Sequence, residues 1–489
     1  MSVHIGLDIG SSSVKALAVN AEDGSVSAAA MGEFEVLRPT AGGWELDPES
    51  LFGAACGALA QLPAEVRRET QSLGITGQMC GLVALDHERR PVGPALPIFD
   101  DRSVGESEWL EAEFGTHLLR HAANGALPVY TLPKLLWLRA NRPGQFARTD
   151  LVVLPKDYVR GRLTGEWATD PSDASGTLAF DQRAGKWDSE LLGQLELSAD
   201  QWPPLAASTG RAGELMPSAA RLAGLAPGLP VAVGCSDMAA VILGVGARTG
   251  EDIVMSFGTA AHVITPTAEL DPDVWPVQQY SSALPGCWFR FGAVYSGAVC
   301  AQWLLGLVDS GASYGLFSQA TQRPAEERVL FMPYLAGAGA PHEIPGAAGA
   351  FVGLRLGHTR EDLAAAVLEG LCFELARIYE VHDPDGVRRI HVTGGGTRLG
   401  PIVQILADVL DRELLVSAAP DAAAIGAAWL GAAAAGDGIE NQRLSTPAVL
   451  EPRAASTESL RSVRHRYEAA AAAVRGLGGS PTTSPSHVS

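Results

Sequence analysis

The sequence predicts an α/β fold built from two related lobes, and three observations support this prediction. Segments with strand-like and helix-like periodicity alternate along the chain, which is typical of proteins with partly parallel sheets. Two segments, over residues 5–19 and 253–264, share a strand, a turn of glycine and hydroxyl residues, and a second strand. The length of 489 residues suits two large domains better than one.

The domain boundaries follow from this pattern. We expect a first lobe over residues 1–247, a second lobe over 248–455 and a terminal helix over 456–478. Residues 479–489 are rich in Ser, Thr and Pro and have little apolar surface to bury, so we expect a disordered tail.

The first turn carries candidate phosphate-binding residues. A strand reaches the carboxylate of Asp8, the tight turn Gly10-Ser11-Ser12 follows, and Lys15 lies on the next strand. A carboxylate beside exposed NH and hydroxyl donors can hold a metal ion against nucleotide phosphates. An ordinary hairpin with an aspartate at its turn fits this segment equally well.

Two glycine-containing turns in the second half offer similar chemistry. Gly258-Thr259 repeats the hairpin turn, and the run Gly394-Gly395-Gly396 connects a strand to a helix. Glycine lets the backbone approach a ligand closely, and a helix N-terminus favours anionic groups. Strained turns without a ligand are the alternative, and the spacing matches neither a Walker loop nor a Rossmann fingerprint.

Asp237 is the candidate general base. A strand-like run over 231–236 ends there, and a predicted helix continues over 238–245. The helix dipole would keep the carboxylate ionised, so that it could accept a proton at neutral pH. From spacing alone, however, a helix-capping role for Asp237 is the simpler interpretation.

Met79 and Cys80, in the segment after another strand, could line a small-ligand pocket or belong to a plain loop.

Composition excludes several classes of function. The formal net charge is -19 and no lysine or arginine cluster is visible, which argues against binding to nucleic acid or to anionic membranes. The apolar stretch over 422–436 is too short to span a membrane and predicts a buried helix. Six scattered cysteines and an N-terminus without signal-peptide pattern predict a cytoplasmic protein.

Taken together in order, these segments resemble the FGGY carbohydrate kinases, and among them the xylulokinases. The likeness runs from about residue 5 to 429. It is carried by Leu7-Asp8-Ile9-Gly10-Ser11-Ser12, Gly77-Gln78-Met79, Pro133-Lys134-Leu135-Leu136-Trp137, residues 154–177, 331–335, 349–354 and 362–369, the glycine run after Thr393, and Ile425-Gly426-Ala427-Ala428.

The resemblance implies an actin-like (ribonuclease H-like) ATPase fold, with a sugar-binding first lobe and a nucleotide-binding second lobe around a cleft. It implies ATP and Mg²⁺ as cofactors, Asp237 as the catalytic base and Asp8 as the carboxylate near the metal. The nucleotide would be bound by Gly10, Ser11, Ser12, Lys15, Gly258, Thr259, Gly394, Gly395 and Gly396, and the sugar by Met79, Cys80, Asp101, Asp237 and Met238.

The substrate implied by the resemblance is a ketopentose such as xylulose. The sugar side departs from the xylulokinase pattern, because Met79-Cys80 replaces Met-His and Asp237-Met238 replaces Asp-Asn. Residues 99–103 and 337–341 depart as well. Loss of these hydrogen-bonding groups predicts a substrate that differs at the hydroxyl contacted by Cys80 or Met238.

Other functions remain alternatives. A kinase for another ketose or polyol, of the ribulose, glycerol or erythritol type, fits the altered sugar side. A non-catalytic sugar or nucleotide sensor would keep the fold without turnover, although the presence of Asp8 and Asp237 argues against it. A chaperone-like ATPase is disfavoured because no substrate-binding domain follows the second lobe. The sequence leaves a homodimer open.

Overall fold

The computed structural model of the protein describes most of the chain. It covers residues 2–40, 42–308, 313–319, 323–341, 347–419, 421–439 and 444–475. The predicted tail over 479–489 and the predicted end of the terminal helix over 476–478 lie outside these residues.

The first half of the chain contains thirteen strands and ten α-helices among the described residues. The strands are β1 (Val3–Ile9), β2 (Ser13–Asn20), β3 (Val26–Glu33), β4 (Val36–Leu37), β5 (Glu45–Leu46), β6 (Thr70–Gly77), β7 (Val83–Leu85), β8 (Leu151–Val153), β9 (Phe180–Asp181), β10 (Lys186–Trp187), β11 (Arg211–Glu214), β12 (Pro230–Ala232) and β13 (Cys235–Ser236). The helices are α1 (Pro48–Gln61), α2 (Ala64–Glu69), α3 (Val104–His121), α4 (Thr131–Asn141), α5 (Pro143–Phe146), α6 (Pro155–Thr164), α7 (Pro171–Ser175), α8 (Ser189–Gln194), α9 (Pro217–Ala223) and α10 (Asp237–Val245).

The main sheet of this half has seven strands. Its path is β11-β12-β6-β1-β2-β3, and β13 also pairs with β6. β1 forms an antiparallel hairpin with β2 and runs parallel to β6, as β12 and β13 do. The alternating apolar residues of β1, including Ile5, Leu7 and Ile9, are fully buried, which explains why this segment forms a central strand.

The second half repeats the same plan. Its strands are β14 (Asp252–Phe257), β15 (Ala261–Thr267), β16 (Gln278–Ser281), β17 (Trp288–Val294), β18 (Leu330–Met332), β19 (Ala350–Val352), β20 (Arg389–Thr393), β21 (Leu414–Val416) and β22 (Ala448–Leu450). Its helices are α11 (Val299–Val308), α12 (Gly315–Ser318), α13 (Arg360–His382), α14 (Ile402–Leu410), α15 (Ala422–Ala435) and α16 (Ala454–Arg475).

The second sheet confirms the prediction of two related lobes. Its order is β16-β17-β15-β14-β20-β21-β22. β14 forms an antiparallel hairpin with β15 and runs parallel to β20, which in turn runs parallel to β21. The hairpin and its parallel neighbours thus occupy corresponding places in the two sheets, as expected for the α/β, actin-like fold.

Two helices connect the lobes. α15 lies against β1 and β6 of the first sheet, and α10 packs beside α15. The approach is so close that a Cβ at Gly74 would lie 1.6 Å from the carbonyl oxygen of Ala427, so only glycine fits there. On the other side, Val254 and Ile264 of the second sheet share a core with α10. The predicted buried helix over 422–436 is therefore confirmed, although it packs on the opposite lobe.

A largely helical region, residues 78–229, extends the first lobe. It contains two small sheets, β7-β8 and β9-β10, besides α3 to α9, and near its end it returns to the main sheet as β11. It touches the edge of the second sheet where Asn124 exchanges hydrogen bonds of 2.6 and 2.9 Å with the backbone of Gln279. Tyr130 and Tyr280 add a hydroxyl contact of 3.1 Å.

Two of the predicted element boundaries differ from those in the structure. The predicted strand over 231–236 is interrupted, because β12 ends at Ala232 and β13 begins at Cys235. The terminal helix begins at Ala454, two residues before the predicted 456. The predicted lobe boundary falls between α10 and β14, and its position stays a prediction. None of the helices in the described parts of the chain combines the length and the hydropathy that a membrane-spanning segment requires.

Candidate active site

The first sheet places Asp8 and Asp237 at the same edge. Asp8 of β1 and Cys235 of β13 lie opposite the same residue of β6, Thr76, from its two sides. The backbones at Asp8 and Cys235 are therefore on the order of 10 Å apart, twice the spacing between strands. Because these strands are parallel, their carboxyl ends share one edge, and Asp237 follows Cys235 there by two residues.

The two carboxylates influence each other. Both side chains keep part of their surface accessible. Burial raises the pKa of Asp237 to about 7, with a further increase from the charge of Asp8 and a decrease from backbone NH groups. The pKa of Asp8 is raised overall to about 6. Burial raises it most, the charge of Lys15 lowers it, and the charge of Asp421 raises it. The site thus holds a carboxyl group that titrates near neutral pH.

The start of α10 fixes the direction of Asp237. The N-cap is Ser236, whose hydroxyl accepts a hydrogen bond from the NH of Ala239, and Asp237 is the first helical residue. The capping role considered for Asp237 is therefore filled by its neighbour. One carboxylate oxygen of Asp237, Oδ1, accepts a 2.9 Å hydrogen bond from the NH of Met238. Among the described residues, no other side chain hydrogen-bonds to this carboxylate.

A buried charge network supports this helix start. Lys156 Nζ lies 2.7 Å from Asp170 Oδ1, 2.9 Å from Asp173 Oδ2 and 3.3 Å from Asp157 Oδ1, and all four side chains are fully buried. Arg160 donates to Asp157 Oδ1 at 2.7 Å. Burial and the neighbouring carboxylates raise the pKa of Asp173 well above its usual range.

The network reaches Asp237 through a serine. Asp170 Oδ2 accepts hydrogen bonds from Ser172 Oγ (2.5 Å), the NH of Ser172 (2.9 Å) and Ser208 Oγ (2.9 Å). Ser172 Oγ in turn accepts a 2.9 Å hydrogen bond from the NH of Ser236. Sequence reasoning assigned no role to these residues. Except for Ser208, the side chains of this network lie in the segment 154–177, which carries part of the family resemblance but is distant in sequence from Asp237.

The first predicted phosphate turn is exposed at this edge. Gly10 and Ser11 are partly accessible and Ser12 is exposed. The turn is closed by a 3.0 Å hydrogen bond from the NH of Gly10 to the carbonyl of Ser13. Lys15, opposite Asp8 on β2, donates a 2.7 Å hydrogen bond to Asp421 of the second half. The hydroxyl groups of this turn are therefore available to a ligand beside Asp8.

The second-half turns come together as one surface. Ser256 and Thr393 pair at the ends of β14 and β20, so the turns that follow these strands are neighbours. Thr259 and Gly395 are exposed, and Gly258 and Gly394 are partly accessible. Gly394 has φ +99°, and a Cβ there would lie 2.3 Å from the carbonyl oxygen of Phe257. Gly396, by contrast, is buried.

Lys15 connects the two halves of the chain through its hydrogen bond to Asp421. Burial lowers its pKa, but the hydrogen bond to Asp421 and the charges of Asp421 and Asp8 outweigh burial, so that the pKa is raised overall. The positive charge of Arg398, two residues after Gly396, opposes this increase. The pKa of Lys15 thus depends on charges from both halves of the chain, Asp8 from the first and Asp421 and Arg398 from the second.

The residues predicted to bind sugar differ in exposure. Met79, Cys80 and Met238 are buried, with 6%, 1% and 9% of their surface exposed. Cys80 has a left-handed backbone conformation with φ +63°, which is unusual for a residue with a side chain. A Cβ at Gly176 would lie 3.0 Å from Cys80 Sγ and 3.3 Å from Met79 Cε, so these side chains pack tightly. The charge of Asp237 adds to the effect of burial in raising the pKa of Cys80.

Asp101 is exposed beside the same region. Its neighbour Asp100 is buried, and its Oδ2 accepts a 2.9 Å hydrogen bond from Nε of Arg102, which holds the loop in place. Partial desolvation of the carboxyl group raises the pKa of Asp101, and the charge of Lys134 lowers this pKa. Burial lowers the pKa of Lys134 to about 8, opposed by Cys80, Asp100 and Asp101. The charge of Lys134 thus affects the pKa of both Asp101 and Cys80, an effect that sequence reasoning did not predict.

Comparison with known proteins gives matches over both halves. Residues 3–244 match the FGGY family of carbohydrate kinases, N-terminal domain, and residues 253–435 match its C-terminal domain. The xylulose kinase of Escherichia coli K12 is 36% identical over 441 residues, covering 88% of this chain and 90% of that protein. The xylulose kinase of Bacillus subtilis 168 is 28% identical over 481 residues, covering 96% of each.

Solved structures agree with these matches. A structure described as a xyloylose kinase from Brucella ovis superposes with a TM-score of 0.86 at 32% identity, covering 97% of this chain and 100% of that one. A xylulose kinase from Rhodospirillum rubrum gives 0.83 at 28% identity, covering 97% and 99%. The likeness therefore includes both lobes and nearly the whole length of these relatives.

Proposed function

Because this chain belongs to the FGGY family of carbohydrate kinases, and is a xylulokinase-like member of it, we propose that it transfers the γ-phosphoryl group of ATP to a hydroxyl of a ketopentose, xylulose foremost. Asp237 is the base in this proposal. The observation that carries it is that Asp237 is a partly accessible carboxylate at the same sheet edge as Asp8, with a pKa raised to about 7 by burial and by the charge of Asp8.

The chemistry assigned to Asp237 is proton removal. Oδ1 is engaged by the NH of Met238, which leaves Oδ2 to accept the proton of the sugar hydroxyl. As that proton leaves, the hydroxyl oxygen bonds to the γ-phosphorus, and the bond from phosphorus to the bridging oxygen of ADP breaks in line. A base with a pKa near 7 is well matched to this task at neutral pH.

The residues present fit a magnesium ion. Asp8 is a partly accessible carboxylate whose pKa is raised to about 6. Burial and the charge of Asp421 raise this pKa more than the charge of Lys15 lowers it. A nearby dication would favour its ionised form, and carboxylate oxygens are ligands that Mg²⁺ prefers. We assign Asp8 to the metal, directly or through water. Bound Mg²⁺ would neutralise charge on the phosphates during transfer.

The nucleotide is assigned to the turns. Gly10, Ser11 and Ser12 offer NH and hydroxyl donors from the first lobe, and Gly258 and Thr259 offer them from the second. The run Gly394-Gly395-Gly396 is assigned to the adenosine side, where Gly394 and Gly395 are accessible and Gly396 is buried beneath them. Lys15 adds a positive charge, although its hydrogen bond to Asp421 must loosen for it to reach a phosphate.

The sugar is assigned to the surface formed by Met79, Cys80, Asp101, Asp237 and Met238. Xylulose is the favoured substrate because the relatives at 36% and 28% identity over most of their length are xylulose kinases. The neutral thiol of Cys80 and the apolar side chain of Met238 also suit a second candidate substrate, a ketose or polyol with a different pattern of hydroxyl groups. The gluconokinase of Bacillus subtilis, 26% identical over 455 residues, is a relative with another substrate.

A substrate panel tests this proposal. Purified protein with ATP and Mg²⁺ is incubated with D-xylulose, D-ribulose, gluconate, glycerol and erythritol, and both ADP and the phosphorylated product are measured. The proposal expects the highest kcat/KM with D-xylulose and one phosphate added per ADP formed. The absence of ADP formation with every one of these compounds would refute it and favour the sensor. A clear preference for another compound would keep the kinase and reject xylulose.

The remaining expectations concern location and assembly. We propose a cytoplasmic protein, supported by six cysteines that are all free thiols. Sugar and ATP are the proposed binding partners, and a homodimer stays a prediction.

A further inference from the structure

Two histidines on α3 lie outside the candidate active site and face two aspartates. His117 and His121 are one helical turn apart, and their rings stack with centroids 4.3 Å apart and planes 23° apart. Opposite them are Asp181, at the end of β9, and Asp188, the N-cap of α8.

Each histidine is bonded to one aspartate. His117 Nε2 lies 2.6 Å from Asp188 Oδ2, and His121 Nδ1 lies 2.7 Å from Asp181 Oδ2. The other carboxylate oxygens accept backbone NH groups, from Leu191 to Asp188 at 3.0 Å and from Ala184 to Asp181 at 2.9 Å. The aspartates are thus held in fixed directions by the turns that carry them.

We propose that His117, His121 and Asp188 bind Zn²⁺ or a similar borderline divalent ion. One ligand atom from each residue lies within 4.8 Å of the others. Ligands of a tetrahedral Zn²⁺ are about 3.3 Å apart, so rotation of the side chains by about 1 Å suffices. Imidazole nitrogens with one carboxylate oxygen are a ligand set typical of zinc and leave a fourth position for water.

Asp181 orients His121, one of the proposed zinc ligands. By accepting the Nδ1–H of His121, it leaves the lone pair of Nε2 for the ion, as carboxylates do behind metal-bound histidines. At His117 the ion replaces the proton shared with Asp188, and the imidazole keeps its proton on Nδ1. The histidine side chains are 20% and 30% exposed, so an ion can reach them from solvent.

The site is separate from the sugar-binding surface. Asp101 precedes the N-terminus of α3, whereas the histidines lie at its C-terminal end, roughly 25 Å away along an 18-residue helix. The ion would tie α3 to the β9-β10 hairpin and to α8. This junction adjoins the contact with the second lobe, because Gln182, next to Asp181, donates to the carbonyl of Gln279 at 3.0 Å.

Zinc titration of the whole protein tests the site. Isothermal titration with Zn²⁺ is carried out in excess Mg²⁺, which occupies oxygen-rich sites, and the zinc retained after gel filtration is measured by mass spectrometry. Wild-type protein and the control His465→Ala, an exposed histidine elsewhere, should each bind one equivalent. His117→Ala and His121→Ala should lose it, and Asp181→Asn should bind about 10 to 100-fold more weakly.

Thermal unfolding provides a second measurement. Zn²⁺ should raise the Tm of the wild-type protein and of His465→Ala, but not that of His117→Ala, because only a bound ion stabilises the folded state. Wild-type protein that retains no zinc would overturn the proposal. So would a His117→Ala/His121→Ala variant that is folded and binds zinc like the wild-type protein.

Discussion

Ser172 accepts a 2.9 Å hydrogen bond from the backbone NH of Ser236, the residue immediately before Asp237. Through it, the start of α10 is connected to Asp170 and so to the buried Lys156. Asp237 is therefore positioned by residues more than sixty positions earlier in the chain as well as by its own helix.

Ser172→Ala should reduce turnover by loosening this connection. The change leaves the NH of Ser236 without its acceptor and removes a donor to Asp170, which should cost about 1 to 3 kcal/mol of stability. Because Asp237 would be held less firmly, kcat should fall about tenfold or more, with little change in KM for ATP. Urea unfolding and steady-state kinetics measure the two effects.

Ser208→Ala is the matched control for that change. Ser208 Oγ also donates to Asp170 Oδ2, at 2.9 Å, but it does not contact Ser236. It should lower stability to a similar extent and leave kcat close to the wild-type value. Equal losses of kcat in the two variants would argue against a specific role of Ser172 in positioning Asp237.

The pH dependence of kcat/KM should show the ionisation of Asp237. The base must be unprotonated in the free enzyme, and its pKa is raised to about 7. The logarithm of kcat/KM should therefore rise with a slope near one below pH 7 and level off above it. Because Asp8 and Asp237 interact, the observed midpoint belongs to the pair. A flat profile from pH 5 to 8 would be incompatible with this assignment.

Asp237→Asn should stabilise the protein in the absence of ligands at alkaline pH. The unfolded aspartate releases its proton near pH 4, whereas the folded one keeps it until about pH 7. Between these values the folded state binds more protons, so this group's contribution to stability is lost as pH rises. Asparagine cannot ionise and escapes this loss. The variant should have a higher Tm than the wild type at pH 8, with the difference shrinking toward pH 4.

The local features of the fold were predictable from sequence. The hairpins β1-β2 and β14-β15 and the glycine run after β20 are encoded by alternation and turn residues within short segments, and all are present. The packing of α15 on the first sheet was not predictable, because an alanine-rich helix from the second half carries no signal for its partner. Only the three-dimensional fold brings Gly74 against Ala427.

The same distinction applies to the sites. Asp8 and Asp237 could be proposed because one lies near the end of a strand and the other follows a strand, where ligands collect in α/β folds. The network of Lys156, Asp170 and Asp173 could not, since charged residues are expected at the surface unless the fold pairs them. His117 and His121 have the spacing of one helical turn, a signal visible in sequence, whereas Asp188 joins them only through folding.

Gly394→Ala should damage the fold and nucleotide binding together. The residue has φ +99°, and its new Cβ would lie 2.3 Å from the carbonyl oxygen of Phe257. Gly395→Ala is the control, because its Cβ would meet no protein atom within 4 Å. It should leave Tm unchanged and raise KM for ATP, since the added methyl group occupies the surface assigned to the nucleotide. An unchanged KM for ATP in a folded Gly395→Ala variant would remove Gly395 from that surface.

Sugar-dependent ADP formation by Asp237→Asn is the decisive measurement. General-base catalysis contributes roughly 10² to 10⁴-fold, so turnover with D-xylulose should fall by that factor. Binding of an ATP analogue, measured by calorimetry on the same preparation, should be retained because the nucleotide is assigned to the turns around Gly10 and Gly258. Turnover within about twofold of the wild type would contradict the assignment of Asp237 as the base.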